Sequence, residues 1–190
     1  MDRKYIEEKT YEKQDYSQHP LAIGDYEGCN FVNCNFSQTQ LSGMHFSECV
    51  FKACNLSMAT LAGTVLQDIM FSDCKMLGLH FETCNQVLFA ANYERCALDL
   101  CSFYQVKMKK AKFTRCTLKE ADFTGADLSE AVFDEADLEG AIFENTTLEK
   151  ADLRTAFNYA IDPQLNRIKK ARFSFPGVLA LLARFDIDVE

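Results

Sequence analysis

The sequence predicts a solenoid of short coils stacked around one continuous core. A bulky apolar residue returns at every fifth position over most of the chain, a compact residue stands two places before it, and proline is confined to positions 20, 163 and 176, outside the repeat. A period of five fits neither the 3.6-residue turn of a helix nor the 2-residue alternation of a strand. A fixed repeat this short cannot close a core by itself, so successive units must share one with their neighbours.

The first element, residues 1–23, is charged throughout its opening MDRKYIEEKTYEKQDYSQHP, with no signal segment. It reads as an N-terminal cap in which Tyr11, Tyr16, Leu21 and Ile23 cover the first coil. The repeat occupies residues 24–158. Its first run climbs from Tyr26 in steps of five to Phe81 without a miss, and its second runs from Leu88 to Leu153. All 26 of these positions are Phe, Leu, Met or Tyr. Between the runs the register slips: residues 82–87 hold two more residues than a unit allows, and Phe89 falls at a normally outward place. This reads as a small bulge whose apolar residues cover a corner. The alternative is a contact loop formed by Glu82, Asn85, Gln86 and Phe89. The last element, residues 159–190, contains a helix at about 175–185, opened by Ser174 and Pro176. Val178, Leu179, Leu181, Leu182 and Phe185 cover more than one face of that helix, more than capping needs, and suggest a partner surface. IDVE from Ile187 has the composition of a short end strand.

Eight of the nine cysteines, all but Cys84, stand two places before a bulky residue, and no CxxC pair or zinc-spaced Cys/His cluster occurs. They read as reduced, buried thiols acting as small hydrophobes, which places the protein in the reducing cytoplasm. No apolar run approaches the ~20 residues that span a membrane. No nucleophile elbow, phosphate loop or dinucleotide fingerprint is present, so an enzyme is the least favoured class, and neither cofactor nor metal is expected.

Charge is uneven. From Thr117 to Glu149 the acids Glu120, Asp122, Asp127, Glu130, Asp134, Glu135, Asp137, Glu139, Glu144 and Glu149 face a single base, Lys119, while the rest of the chain is nearly neutral. One reading is a solvated surface with charge pairs. The other is an acidic surface that imitates nucleic acid toward a basic protein.

The units ADFTG, ADLSE, ADLEG and ADLRT resemble those of the pentapeptide-repeat family. The resemblance implies an all-β fold, a right-handed quadrilateral parallel β-helix with four units and 20 residues per coil. Twenty-six units would then make 6.5 coils and, at ~4.8 Å per coil, a rod roughly 30 Å long. In such a coil Cys34, Cys54 and Cys74 stack, as do Cys96 and Cys116. Lys119 lies over Glu139, Arg115 over Glu135 and Lys150 over Glu130. The segment KACNLSMATL and the tail IDPQLNRI, followed by an apolar helix, are similar to the Qnr quinolone-resistance and microcin-immunity group. That likeness implies a homodimer joined through the tail helix, and an acidic rod that binds DNA gyrase or topoisomerase IV and protects against topoisomerase poisons, without binding nucleic acid or membrane. The alternative is a structural scaffold or regulator with an unrelated protein partner.

Overall fold

A computed structural model describes residues 3–185 and residue 187. Backbone pairing recurs every twenty residues and is parallel: Tyr11 pairs with Phe31, Phe31 with Phe51 and Phe51 with Phe71. The chain therefore winds as a right-handed β-helix of square section. Each five-residue unit makes one face and turns a corner, and away from the slip and the two end coils the residue two after the bulky one takes positive φ, as at Arg115 (54°), Glu120 (53°) and Glu130 (61°). That conformation costs a non-glycine residue about 1–2 kcal/mol. It is offset by a hydrogen bond to the next coil, Arg115 N–H to Asp134 O at 2.7 Å and Glu120 N–H to Glu139 O at 2.8 Å.

We number the faces in chain order. Face 1 carries Tyr26, Phe46, Leu66, Met108, Leu128 and Leu148, and face 2 carries the aromatic column from Tyr11 to Phe133. Faces 3 and 4 follow, with Leu98, Leu118 and Leu138 inside face 3 and Phe103, Phe123 and Phe143 inside face 4. The aromatic rings stack coil on coil: Phe113 lies 5.0 Å from both Tyr93 and Phe133, and Phe123 lies 5.1 Å from both Phe103 and Phe143. The two columns meet edge to face, with Phe123 at 6.1 Å and 87° to Phe133. Offset or edge-on contacts suit the ring quadrupole, so one period satisfies both burial and ring geometry.

The thiols two places before the bulky residues are also satisfied. The Cys49, Cys54 and Cys74 sulfhydryls each donate to a carbonyl one coil back, those of Tyr26, Phe31 and Phe51, at 3.3 Å. Thr64 and Thr146 do the same with hydroxyls at 2.8 Å. Alanine in the later coils fills the same space without a donor.

The stack is longer than the 24–158 repeat. Strand Lys4–Glu7 pairs with Gly24–Glu27, Thr10–Glu12 pairs with Asn30–Val32, and Arg172–Phe173 pairs with Asp152–Leu153. Among the described residues nine strands stack on face 2. The chain thus makes about eight turns, and the rod is roughly 38 Å long at ~4.8 Å per coil. Segment 1–23 covers the core by being a coil itself, with Tyr16 buried and Ile6, Tyr11 and Leu21 packed on the core, whereas Ile23 is 68% exposed. Its compact positions hold Lys4, Lys9, Gln14 and His19, all exposed, because no coil lies beyond them. That departure is what disguised the unit.

At the other end, a 3₁₀ helix spans Pro176–Phe185. The Gly177 N–H donates to Ser174 Oγ at 3.1 Å, and the Tyr159 hydroxyl donates to Gly177 O at 3.0 Å, tying the helix to the last coil. The end strand expected beyond Ile187 lies outside the described residues.

Candidate protein-interaction surface

The ten acids of the 117–149 band encircle the rod. Asp127, Glu130 and Glu149 stand on face 1, Asp134 and Glu135 on face 2, Glu120, Asp137 and Glu139 on face 3, and Asp122 and Glu144 on face 4. Several serve the backbone first. The Asp122 and Asp127 carboxylates accept the N–H groups of Thr124 and Ser129 at 2.8 and 3.0 Å, and Asp137 accepts from Glu139 N–H and from Asn158 Nδ2. Asn35 and Asn55 make the same turn bond to Ser37 and Ser57 in the early coils. An oxygen is needed at that place, and a charge is not.

Others are paired. Lys119 Nζ lies 2.6 Å from Glu139 and 3.2 Å from Asp137, and Arg115 Nε lies 3.0 Å from Glu135. Hydrogen bonding to Glu139 and Asp137 raises the Lys119 pKa, and bonding to Glu135 raises that of Arg115. Glu130 meets Lys109 of the preceding coil at 3.6 Å, rather than Lys150. These pairs are exposed and contribute little stability. Glu120, Glu144 and Glu149 form no ion pair among the described residues. The carboxylates that remain available are fewer than the sequence count.

The loop residues are placed differently from one another. Phe89 is buried and meets Phe81 edge to face at 6.0 Å, while Leu88 is 52% exposed. The inward residue of this unit is therefore Phe89, and Leu88 is outward, which corrects the expected register: the two added residues carry the chain past the face before it turns in. Gln86 points back, its Nε2 donating to the carbonyls of Phe81 and Cys84. The Asn85 carboxamide accepts the Val87 N–H, and Glu82 meets His80 Nδ1 at 2.8 Å. Val87, 86% exposed, is the residue that projects. Cys84, the one cysteine that does not stand two places before a bulky residue, is buried as well, and burial pushes its thiol up to about 12.

On the C-terminal helix, Leu181 and Ala180 are partly buried and pack against the core. Val178, Leu179, Leu182 and Phe185 are each 37–48% exposed, beside a fully outward Phe175. A cleft of about 400 Å³ opens between this helix and the last coil, lined by Ile142, Phe143, Ile161, Leu165, Ala180 and Leu181. Among the described residues no His/Cys/Asp/Glu group could hold a metal ion, and no helix is long and apolar enough to cross a membrane.

The pentapeptide repeat region profile matches residues 25–87 and 79–153. The chain belongs to the pentapeptide-repeat family. Among solved structures, this pentapeptide-repeat chain is similar to full-length QnrB1, a plasmid-mediated fluoroquinolone resistance protein, with a TM-score of 0.64 and 18% identity over 97% of this chain and 100% of that one. It is also similar to HetL, a pentapeptide-repeat protein involved in heterocyst differentiation regulation from the cyanobacterium Nostoc sp. strain PCC 7120, with a TM-score of 0.56 and 20% identity over 90% and 86% of the two chains. At such identities the likeness speaks for the shared fold. No curated sequence matches the chain.

Proposed function

We propose that this pentapeptide-repeat rod acts without catalysis, as a protein-binding module whose carboxylates stand in for nucleic-acid phosphates toward DNA gyrase or topoisomerase IV, protecting the enzyme against topoisomerase poisons. The observation that carries this reading is the band from Thr117 to Glu149, ten acids against one base. Thirty-three residues make about 1.6 coils, roughly 8 Å of axis at ~4.8 Å per coil. Its charge density is of the same order as the one charge per ~1.7 Å of duplex DNA. A β-helix holds those charges on a rigid frame, so a basic DNA-binding surface meets them without ordering a chain first. The likeness to a fluoroquinolone resistance protein supports the choice of enzyme. The exposed Val178, Leu179, Leu182 and Phe185 support a two-fold contact between copies, which would double the rod.

Supercoiling by DNA gyrase, measured against added protein with and without a fluoroquinolone, tests this function. Restored supercoiling in the presence of the drug is the expected result. No effect at micromolar protein favours a scaffold or regulator with an unrelated partner. That second reading draws on the exposed Met58, Leu100 and Tyr104, apolar contacts for which a phosphate mimic has no use.

A further inference from the structure

Winding the chain sorts its charges in a way the linear sequence hides. Between residues 24 and 173, faces 3 and 4 hold only two bases, Lys75 and Lys119; the remaining Lys and Arg of this stretch stand on faces 1 and 2, among them Lys107, Lys109, Lys110, Arg154, Lys169 and Arg172. From Cys96 to Asn145, faces 3 and 4 set Asp99, Glu120, Asp122, Asp137, Glu139 and Glu144 against Lys119 alone. The rod has an acidic side and a side of mixed, nearly balanced charge.

The acidic side also carries an apolar strip. Met58 and Leu100, 59% and 60% exposed, share the corner column between faces 3 and 4 with Gly78, and Tyr104, 44% exposed, is next to them on face 4. Met58 Sδ would lie only 2.6 Å from a Cβ at Gly78, so the thioether lies down across the glycine toward the coil of Leu100, beside the half-buried Leu77. One coil further the same columns hold Glu120 and, on face 4, Thr124 and then Glu144. A single exposed leucine needs no explanation, but an apolar strip continuous over several coils and ending in unpaired carboxylates has the make-up of an interface.

We propose that the side formed by faces 3 and 4 is the docking surface, and that it takes a basic amphipathic protein segment. Apolar side chains of that segment cover Met58, Leu100 and Tyr104 while its lysines or arginines reach Glu120 and Glu144. The proposal rests on the acidic-surface reading of the function and names the face and the partner chemistry. A pure phosphate mimic requires cations alone; this surface asks for both.

The probes are a synthetic leucine/lysine amphipathic helical peptide and a polylysine of equal charge, titrated against the intact protein at physiological salt. The amphipathic peptide is expected to bind at least about tenfold more tightly. Leu100→Ser with Tyr104→Ser should abolish that difference, and Glu120→Lys with Glu144→Lys should weaken both probes. Lys110 and Lys150 already occupy positive φ, so lysine at 120 suits the backbone. Glu130→Lys with Glu135→Lys, on faces 1 and 2, should leave binding within about twofold. Circular dichroism checks that each variant stays folded, and hydrogen exchange should place protection on faces 3 and 4. Equal binding of the two probes, no binding of either, or greater loss from the face 1 and 2 pair overturns the proposal. Selective binding of the amphipathic peptide on faces 3 and 4 by a protein that leaves gyrase untouched would retire the topoisomerase reading and keep this one.

Discussion

Cys96 stands directly on Cys74 although the coils elsewhere repeat every twenty residues. Lys75 pairs with Ala97, and the Ala97 N–H donates to Cys74 O at 2.9 Å. The two residues added by the slip are thus absorbed between the 3₁₀ turn Phe81–Thr83 on face 4 and the point on face 1 where Phe89 turns inward, and the ladders of faces 2 and 3 run through without a break. One result is a ladder of five buried thiols along a single corner, Cys34, Cys54, Cys74, Cys96 and Cys116.

Those thiols should be chemically silent. All nine cysteines are free and buried. Burial pushes Cys49, Cys84 and Cys101 each up to about 12, whereas along the ladder thiol-to-thiol contacts raise Cys74 and Cys116 and lower Cys54 and Cys96, so there it is burial that keeps a probe out. A thiol-reactive probe should label nine cysteines in denaturant and none rapidly in the native protein. Fast native labelling of Cys84 would show that the 82–87 bulge opens readily.

The core carries the stability. Phe123 is fully buried between Phe103 and Phe143, so Phe123→Ala should cost about 3–5 kcal/mol through lost burial and a cavity. Thr124→Ala, at the next, outward position, should cost under about 0.5 kcal/mol. Denaturant titrations of the two variants check the register, which equal losses would contradict.

Asp127 separates the structural role of an acid from its charge. Its carboxylate accepts the Ser129 N–H, and Asn35 and Asn55 make the equivalent bond with a neutral amide. Asp127→Asn should therefore leave the unfolding midpoint nearly unchanged, whereas Asp127→Ala should cost about 1 kcal/mol. If the asparagine variant loses as much as the alanine variant, the charge itself supports the fold.

Leu182 tests the dimer. It is 37% exposed on the C-terminal helix, while the neighbouring Leu181 packs inward. In a two-fold seam, Leu182→Glu places two carboxylates in apolar surroundings and disfavours association by several kcal/mol. Light scattering should report a folded monomer for the variant and a dimer for the parent. A parent already monomeric at micromolar concentration removes the interface.

The fold was legible because its signal is periodic: each bulky residue from Tyr26 to Leu153 maps to one inner face, Leu88 excepted. Leu88 misled because Phe89 beside it is equally apolar, and only the path of the bulge decides which turns inward. The terminal coils were hidden because a compact residue is required only where another coil follows, and Lys4, Lys9 and Gln14 have none beyond them. The charge count was visible, but its meaning was not. Whether Glu135 is neutralised depends on Arg115, twenty residues away and one coil up, and whether Leu100 is a stray or part of a strip depends on Met58 lying across Gly78.

Equilibrium binding of the intact protein to DNA gyrase at several salt concentrations, with duplex DNA as competitor, tests whether the rod stands in for DNA. Saturable binding that weakens steeply with salt and is displaced by DNA is the expected result, because carboxylates and phosphates compete for the same cations. Absence of binding at micromolar protein, or binding that duplex DNA leaves intact, would contradict that reading.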